Sequence, residues 1–157
     1  MAELEFKYVY HSHTERCGHA SGKDEEIVLA AIKNGVNYFD TAYGYHCGNS
    51  EIVTGKILSK YPRDSFYIAT KFPGYDLRNM DKVETIFPEQ LQKTGFDYFY
   101  FYLVHNVCER NIEQYLDPKY GIYDYLMEQK KKGLIRHLGF SVHGSYETME
   151  RFLEKYG

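Results

Sequence analysis

The sequence contains no tryptophan and only three cysteines among its 157 residues. Cys17, Cys47 and Cys108 are too few and too widely spaced for a disulfide framework or a C-x-x-C metal motif. Neither sign of charge is in large excess, because the formal net charge is only −3, and this excludes a strongly basic nucleic-acid binder. The longest apolar run, residues 98–104, has seven residues, far fewer than the ~20 that cross a bilayer.

The first residues of the chain also lack the apolar segment of a secretory signal. Together these absences predict a cytoplasmic protein with reduced cysteines that binds neither nucleic acid nor membrane. What the chain has in abundance is tyrosine, with 17 residues. We expect most of these rings to pack in half-buried positions, so a tyrosine is assigned chemistry only where its neighbours support it.

Apolar periodicity predicts five strands that alternate with helices over a single domain, residues 1–157. The predicted strands are Phe6–Tyr10, Val36–Thr41, Phe66–Thr70, Tyr98–Val104 and His137–Val142, and the helices are Asp24–Asn34, Ser50–Lys60, Met80–Thr94, Ile122–Lys132 and one capped by Ser145. Pro88 is expected either to break the third helix or to begin a second one there. This alternation favours a parallel sheet, doubly wound or rolled into a barrel. Since a barrel of eight units takes ~250 residues, the chain has room for about five units.

Polar side chains recur where the predicted strands end, which is where parallel α/β folds collect reactive groups. These residues are His11 and His13, Asp40, Lys71, His105, and Ser141 with His143. The steps from His11 through Asp40, Lys71 and His105 to Ser141 are 29, 31, 34 and 36 residues, about one β/α unit each. The spacing therefore predicts one site on a single rim.

Tyr45 lies five residues beyond Asp40, far enough along the chain to turn back over that rim. An Asp can hold a buried Lys, and the Lys ammonium favours the phenolate form of a nearby tyrosine. A neutral His can bind a substrate oxygen. The set Asp40, Tyr45, Lys71 and His105 suits reduction of a carbonyl, in which oxygen gains a proton as carbon gains a hydride. Tyr43 is close enough in sequence to be the reacting ring instead.

Four segments resemble the aldo/keto reductase family, in its bacterial branch that often carries an iron–sulphur tail. They are GVNYFDTAYGYHCGNSEIVTG at residues 35–55, YIATKF at 67–72, YLVH at 102–105 and LIRHLGFSV at 134–142. The resemblance runs from about Asp24 to Gly157. It implies a (β/α)8 barrel of TIM type, of which this chain would form an incomplete one, and reduction of an aldehyde or ketone with NADPH or NADH.

The resemblance further implies that Asp40, Tyr45, Lys71 and His105 are the catalytic residues, with Tyr45 as proton donor. Ser141 would contact the nicotinamide carboxamide, with His143 nearby. The partner is a small carbonyl substrate, and no metal is implied, since no cysteine cluster for an iron–sulphur centre is present. The sequence does not name that substrate.

The chain also departs from the family pattern. Residues 1–20 lack the usual glycine-rich first strand. Nothing in the sequence matches the part of the family that supplies the last three strands and most of the groups that bind the pyrophosphate and the adenosine 2′-phosphate of the cofactor. We therefore expect a truncated chain with a half-built cofactor site, and self-association through exposed sheet edges and the barrel interior.

Two other hypotheses stay open at this point. The chain could be a reductase fragment that is not catalytic. Alternatively, His11 and His13 resemble the H-x-H pair of metal-dependent amidohydrolases, where His105 and His143 would complete a zinc ligand set. That second hypothesis leaves Asp40 and Tyr45 unexplained.

Overall fold

The computed structural model describes residues 23–157. The predicted strand Phe6–Tyr10 and the pair His11 and His13 lie outside these residues. The elements are α1 (Asp24–Lys33), β1 (Tyr38–Asp40), α2 (Ser50–Leu58), β2 (Tyr67–Phe72), α3 (Val83–Thr94), β3 (Phe99–Val107), α4 (Ile112–Leu116), α5 (Ile122–Lys131), β4 (Ile135–Val142) and α6 (Tyr146–Tyr156).

The four strands form one parallel sheet in the order β1-β2-β3-β4, which is also their order along the chain. Each strand is joined to the next by a segment that contains helix, as neighbouring parallel strands require. This arrangement of neighbours is that of a barrel wall, so the predicted incomplete (β/α) barrel is confirmed.

The core lies between the sheet and its helices. Phe72, Phe87, Phe99 and Tyr102 are almost fully buried there, and the ring centroids of Phe87 and Tyr102 lie 5.1 Å apart in an edge-to-face contact. β2 is buried along its whole length, as expected for a strand covered on both faces. Thr70 and Lys71 are therefore buried together with the apolar residues of this strand.

The helix boundaries agree with the predictions to within a few residues, except at Pro88. α3 neither breaks nor restarts there but continues from Val83 through Pro88 to Thr94. Proline removes the hydrogen bond to the carbonyl of Glu84, four residues earlier. Both residues are exposed, so water can solvate that carbonyl and the helix remains continuous. At the other end of the sheet, the predicted cap of α6 is confirmed, because the Ser145 hydroxyl accepts a hydrogen bond from the Thr148 amide at 3.2 Å.

The buried face of α2 differs from the one that its apolar residues predict. Ile57 is buried, but Ile52 is 45% exposed, and the charged Glu51 is fully buried in its place. The short helix α4 lies in a stretch that the periodicity predicts to be loop. Within residues 23–157, no helix has the length and apolar character needed to cross a membrane.

Gly55 provides a test of the packing between α2 and α3. A Cβ atom added to Gly55 would lie 2.1 Å from the backbone oxygen of Thr94, which cannot move without shifting the end of α3. We expect Gly55→Ala to lower the free energy of unfolding by about 1–3 kcal/mol. Helix propensity alone would favour alanine by about 1 kcal/mol.

Urea unfolding followed by circular dichroism measures this difference. The matched control is Lys56→Ala, an exposed position on the same helix, which should change stability by less than about 0.5 kcal/mol. A Gly55→Ala variant as stable as the parent would show that the two helices do not meet this closely.

Candidate active site

The parallel register brings the predicted strand-end residues to one edge of the sheet. Asp40 pairs with Ala69 on β2, and Lys71 lies two residues further along that strand, on the same face. Lys71 pairs in turn with Leu103 on β3, two residues before His105. The face that carries Asp40 therefore also carries Lys71 and His105.

Lys71 is the most buried charged group of this edge, with a side chain that is 6% exposed. Its ammonium forms an ion pair with the Asp40 carboxylate and donates to the backbone oxygen of Thr41 at 2.9 Å. A buried ammonium is costly unless it is paired and hydrogen-bonded, and both conditions are met. Lys71 is thereby fixed between the ends of β1 and β2.

Tyr45 lies beside this ion pair. The Lys71 ammonium is 4.9 Å from the centre of the Tyr45 ring, and the ring centroids of Tyr45 and His105 are 5.9 Å apart. Tyr45 is 41% exposed, so a ligand can reach it from solvent. The structure thus brings Asp40, Tyr45, Lys71 and His105 together.

Tyr43 points its hydroxyl elsewhere. That hydroxyl donates to the Glu89 carboxylate at 3.1 Å, and the Lys93 ammonium lies 4.0 Å from the centre of its ring. Both partners belong to α3, not to the strand edge. Of the two candidate tyrosines, only Tyr45 contacts Lys71 and His105.

His105 is buried and electrically neutral at pH 7. Burial, with the nearby Lys71 ammonium and His143, lowers the pKa of His105 to about 4. Its Nδ1 atom is buried and has no hydrogen-bond partner within residues 23–157. The imidazole therefore keeps a buried ring nitrogen that no described residue satisfies.

Tyr75 is a residue of this site that the sequence did not single out. It follows β2, and its ring lies edge-on to His105 with 5.2 Å between centroids. A Cβ atom added to Gly44 would lie 2.0 Å from the Tyr75 hydroxyl, so a larger residue at position 44 would displace this ring. Burial, with the nearby Asp76 carboxylate, raises the pKa of the Tyr75 hydroxyl. No sequence pattern marks Tyr75, because its segment reads as an ordinary loop.

Ser141 and His143 end β4 at the same edge. The Ser141 hydroxyl oxygen accepts a hydrogen bond from the Asn106 amide at 2.8 Å, and its own proton has no acceptor in the part of the chain described. His143 is exposed, and its backbone amide donates to the oxygen of Val107 at 2.9 Å. Asn106 adopts a left-handed backbone conformation, with φ of 58°, where the register between β3 and β4 shifts. Hydroxyl and amide groups are therefore concentrated beside His105.

The described residues contain no candidate metal centre. Between Lys23 and Gly157 the structure holds no group of three or more His, Cys, Asp or Glu side chains that could bind a metal ion. His11 and His13, on which the amidohydrolase hypothesis depends, lie outside the described residues.

The sequence model of the aldo/keto reductase family matches residues 19–157, nearly the whole chain. The chain belongs to the aldo/keto reductase family. It is 31% identical to the NADH-specific methylglyoxal reductase of Escherichia coli K12, over 73% of this chain and 39% of that protein. It is also 31% identical to an aldo-keto reductase of Mycobacterium avium, over 79% of this chain and 42% of that protein. The chain thus spans well under half the length of these curated relatives.

Solved structures of aldo-keto reductases share the fold. The apo form of the Bacillus halodurans enzyme AKR11C1 superposes with a TM-score of 0.62 at 26% identity, over 87% of this chain and 44% of that one. The Klebsiella pneumoniae aldo-keto reductase in complex with NADPH gives a TM-score of 0.67 at 20% identity, over 91% of this chain and 45% of that one. The amidohydrolase hypothesis is accordingly set aside in favour of this family.

The low pKa of His105 makes the stability of this aldo/keto reductase chain depend on pH. The folded-state pKa of about 4 lies below the ordinary value of 6.5. Between these values the unfolded chain binds a proton at His105 that the folded chain does not bind. The contribution of His105 to stability is therefore complete above pH 6.5 and is lost as the pH falls toward 4.

Urea unfolding of the parent and of His105→Gln at pH 7 and pH 4 isolates this effect, since other titrating groups are shared. From pH 7 to pH 4 the parent should lose on the order of 2 kcal/mol more stability than the variant. Equal losses in the two proteins would contradict a neutral, buried His105.

Proposed function

We propose that this chain carries the proton-transfer site of a reductase that converts a small aldehyde or ketone to an alcohol with NAD(P)H. The observation that supports it most directly is the contact of Tyr45 with both the Lys71 ammonium and the His105 ring. Such a cluster provides a proton, a charge to stabilise the group that loses it, and a neutral group to orient a substrate oxygen.

In the proposed reaction, the Tyr45 hydroxyl donates its proton to the carbonyl oxygen of the substrate. The phenolate left on Tyr45 is stabilised by the Lys71 ammonium, which Asp40 and the Thr41 carbonyl hold in place. His105 binds the carbonyl oxygen as a neutral imidazole, because its pKa of about 4 keeps it uncharged near pH 7. Together these side chains polarise the carbonyl.

The end of β4 fits the nicotinamide part of the cofactor. The Ser141 hydroxyl oxygen accepts a hydrogen bond from the Asn106 backbone amide, which leaves the hydroxyl proton to be donated to a ligand. A hydroxyl donor here would bind the oxygen of a carboxamide, and the exposed His143 follows directly after β4. When bound, NAD(P)H supplies the hydride that reduces the carbonyl carbon.

The substrate class and the choice of cofactor follow from different observations. The relative in Escherichia coli is named an NADH-specific methylglyoxal reductase, which favours a small aldehyde as substrate and NADH as donor. The Klebsiella pneumoniae structure contains NADPH, so both cofactors need to be measured. A cytoplasmic location remains a prediction from the scarcity of cysteine.

The first test is a fluorescence titration of the purified chain with NADPH and NADH, followed by turnover of methylglyoxal and simple aldehydes. We expect saturable binding and slow reduction. No binding at millimolar concentrations of either cofactor would contradict the proposal and favour the non-catalytic fragment.

The role of Tyr45 is tested by Tyr45→Phe, with Tyr43→Phe as the matched control. Loss of the proton donor should reduce kcat by about 10²- to 10⁴-fold, with the cofactor Kd changed less than about threefold. Tyr43→Phe removes only the hydroxyl that is bound to Glu89 and should leave kcat within about twofold. If Tyr43→Phe is the inactive variant, the assignment of Tyr45 is wrong.

We also propose that the chain self-associates. In the described sheet β4 is an outer strand with β3 on one side only, and parallel edges left uncovered promote pairing with another chain. Sedimentation velocity over a hundredfold range of concentration should show a sedimentation coefficient that rises with concentration. A constant value for a monomer would contradict self-association.

A further inference from the structure

Behind the site, the first turn of α2 places a carboxylate in the protein interior. Glu51 is fully buried, although it belongs to a residue type that is almost never fully buried unless it is paired. Burial raises the pKa of Glu51, while hydrogen bonds from Thr70 and Gln90 oppose that rise. A group this costly to bury needs an explanation within the fold.

Glu51 accepts two short hydrogen bonds on the same oxygen. The Thr70 hydroxyl and the Gln90 side-chain amide each donate to Glu51 Oε1 at 2.6 Å. The Gln90 amide also lies 3.1 Å from the backbone oxygen of Lys71, and Gln90 Oε1 accepts from the Tyr102 hydroxyl at 2.5 Å. Thr70, the residue before Lys71, and the backbone carbonyl of Lys71 are therefore both hydrogen-bonded within this cluster.

The same turn of α2 also reaches the other support of the Lys71 ammonium. The Thr41 hydroxyl donates to the hydroxyl of Ser50, the neighbour of Glu51, at 2.8 Å. The Thr41 backbone oxygen is the one that accepts a hydrogen bond from Lys71. One helical turn therefore holds both the backbone that carries Lys71 and an acceptor of its ammonium.

We infer that Glu51 is a positioning residue that fixes Lys71 against Tyr45 and His105 through Thr70 and Gln90. The effect of Glu51 on turnover rests on the proposed reductase function, whereas its effect on the position of Lys71 does not. Glu51 touches neither Tyr45 nor His105 in any contact described, so its effect on these two rings is indirect. The second oxygen, Oε2, lies 3.9 Å from the Lys93 ammonium on α3, which partly balances the buried charge.

The position of Lys71 can be read out without any activity, because its ammonium is one of the charges that lower the pKa of His105. We would follow the His105 ring by NMR through a pH titration of the full chain. In Glu51→Ala we expect the pKa of His105 to rise from about 4 by on the order of 0.5–1 pH unit, since a displaced Lys71 repels the imidazolium less. Glu51→Gln keeps an oxygen that can accept both hydrogen bonds and should restore most of the parent value.

Two further variants separate positioning from loss of stability. Thr70→Val keeps the shape of the side chain but removes one hydrogen bond to Glu51, and should produce a smaller rise in the same direction. Thr70→Val also provides the test of the inference if Glu51→Ala does not fold. Leu126→Ala removes a fully buried side chain from α5, which contributes no residue to the site, and should destabilise the chain while leaving the His105 titration unchanged.

An unchanged His105 titration in Glu51→Ala would overturn the inference. If Glu51→Ala does not fold, an unchanged titration in Thr70→Val would overturn it instead. An equal rise in Leu126→Ala would overturn it too, because the effect would then be general loosening. Where turnover is measurable, Glu51→Ala should lower kcat about tenfold with KM changed less than about threefold. If the parent shows no turnover at all, the proposed function fails, while the titration still decides the role of Glu51.

Discussion

The site depends on one requirement, which is that the Lys71 ammonium must be compensated where water cannot reach it. With the side chain 6% exposed, the charge is held by the Asp40 carboxylate and the Thr41 carbonyl from the neighbouring strand. An ion pair at this depth gives little net stability, since desolvation offsets much of the attraction. Its value lies in geometry, because it fixes the ends of β1 and β2 relative to each other. The ammonium is thereby held close to the Tyr45 ring and to His105.

The fixed Lys71 ammonium acts electrostatically on the side chains around it. It lies against the Tyr45 ring and, together with burial, keeps His105 neutral. A positive charge beside an imidazole disfavours the imidazolium form. His105 therefore acts as a neutral hydrogen-bonding group near pH 7. The Tyr75 ring also lies edge-on to the imidazole, with 5.2 Å between the ring centroids.

Much of this arrangement was predictable from the sequence, for a simple geometric reason. Parallel strands end at the same edge, so residues spaced by one β/α unit, such as Asp40, Lys71 and His105, meet there whatever the connecting helices do. The incomplete barrel and its family could be predicted for the same reason, because strand ends and their motifs are local in sequence. The proximity of Tyr45 to Lys71 depends instead on the turn at residues 43–49, where His46 and Cys47 adopt positive φ values of 51° and 55°. Periodicity carries no information about such a turn.

Glu51 shows why the remaining features could not be predicted. Apolar periodicity assigns Ile52 to the core face of α2, yet Ile52 is 45% exposed and Glu51 is fully buried. The partners that make this burial tolerable, Thr70 and Gln90, are 19 and 39 residues away in the chain. A polar cluster of this kind is specified by three-dimensional complementarity, and it becomes favourable only when all its hydrogen bonds form together. The carboxylate that sequence patterns would place in solvent thus supports the strand that carries Lys71.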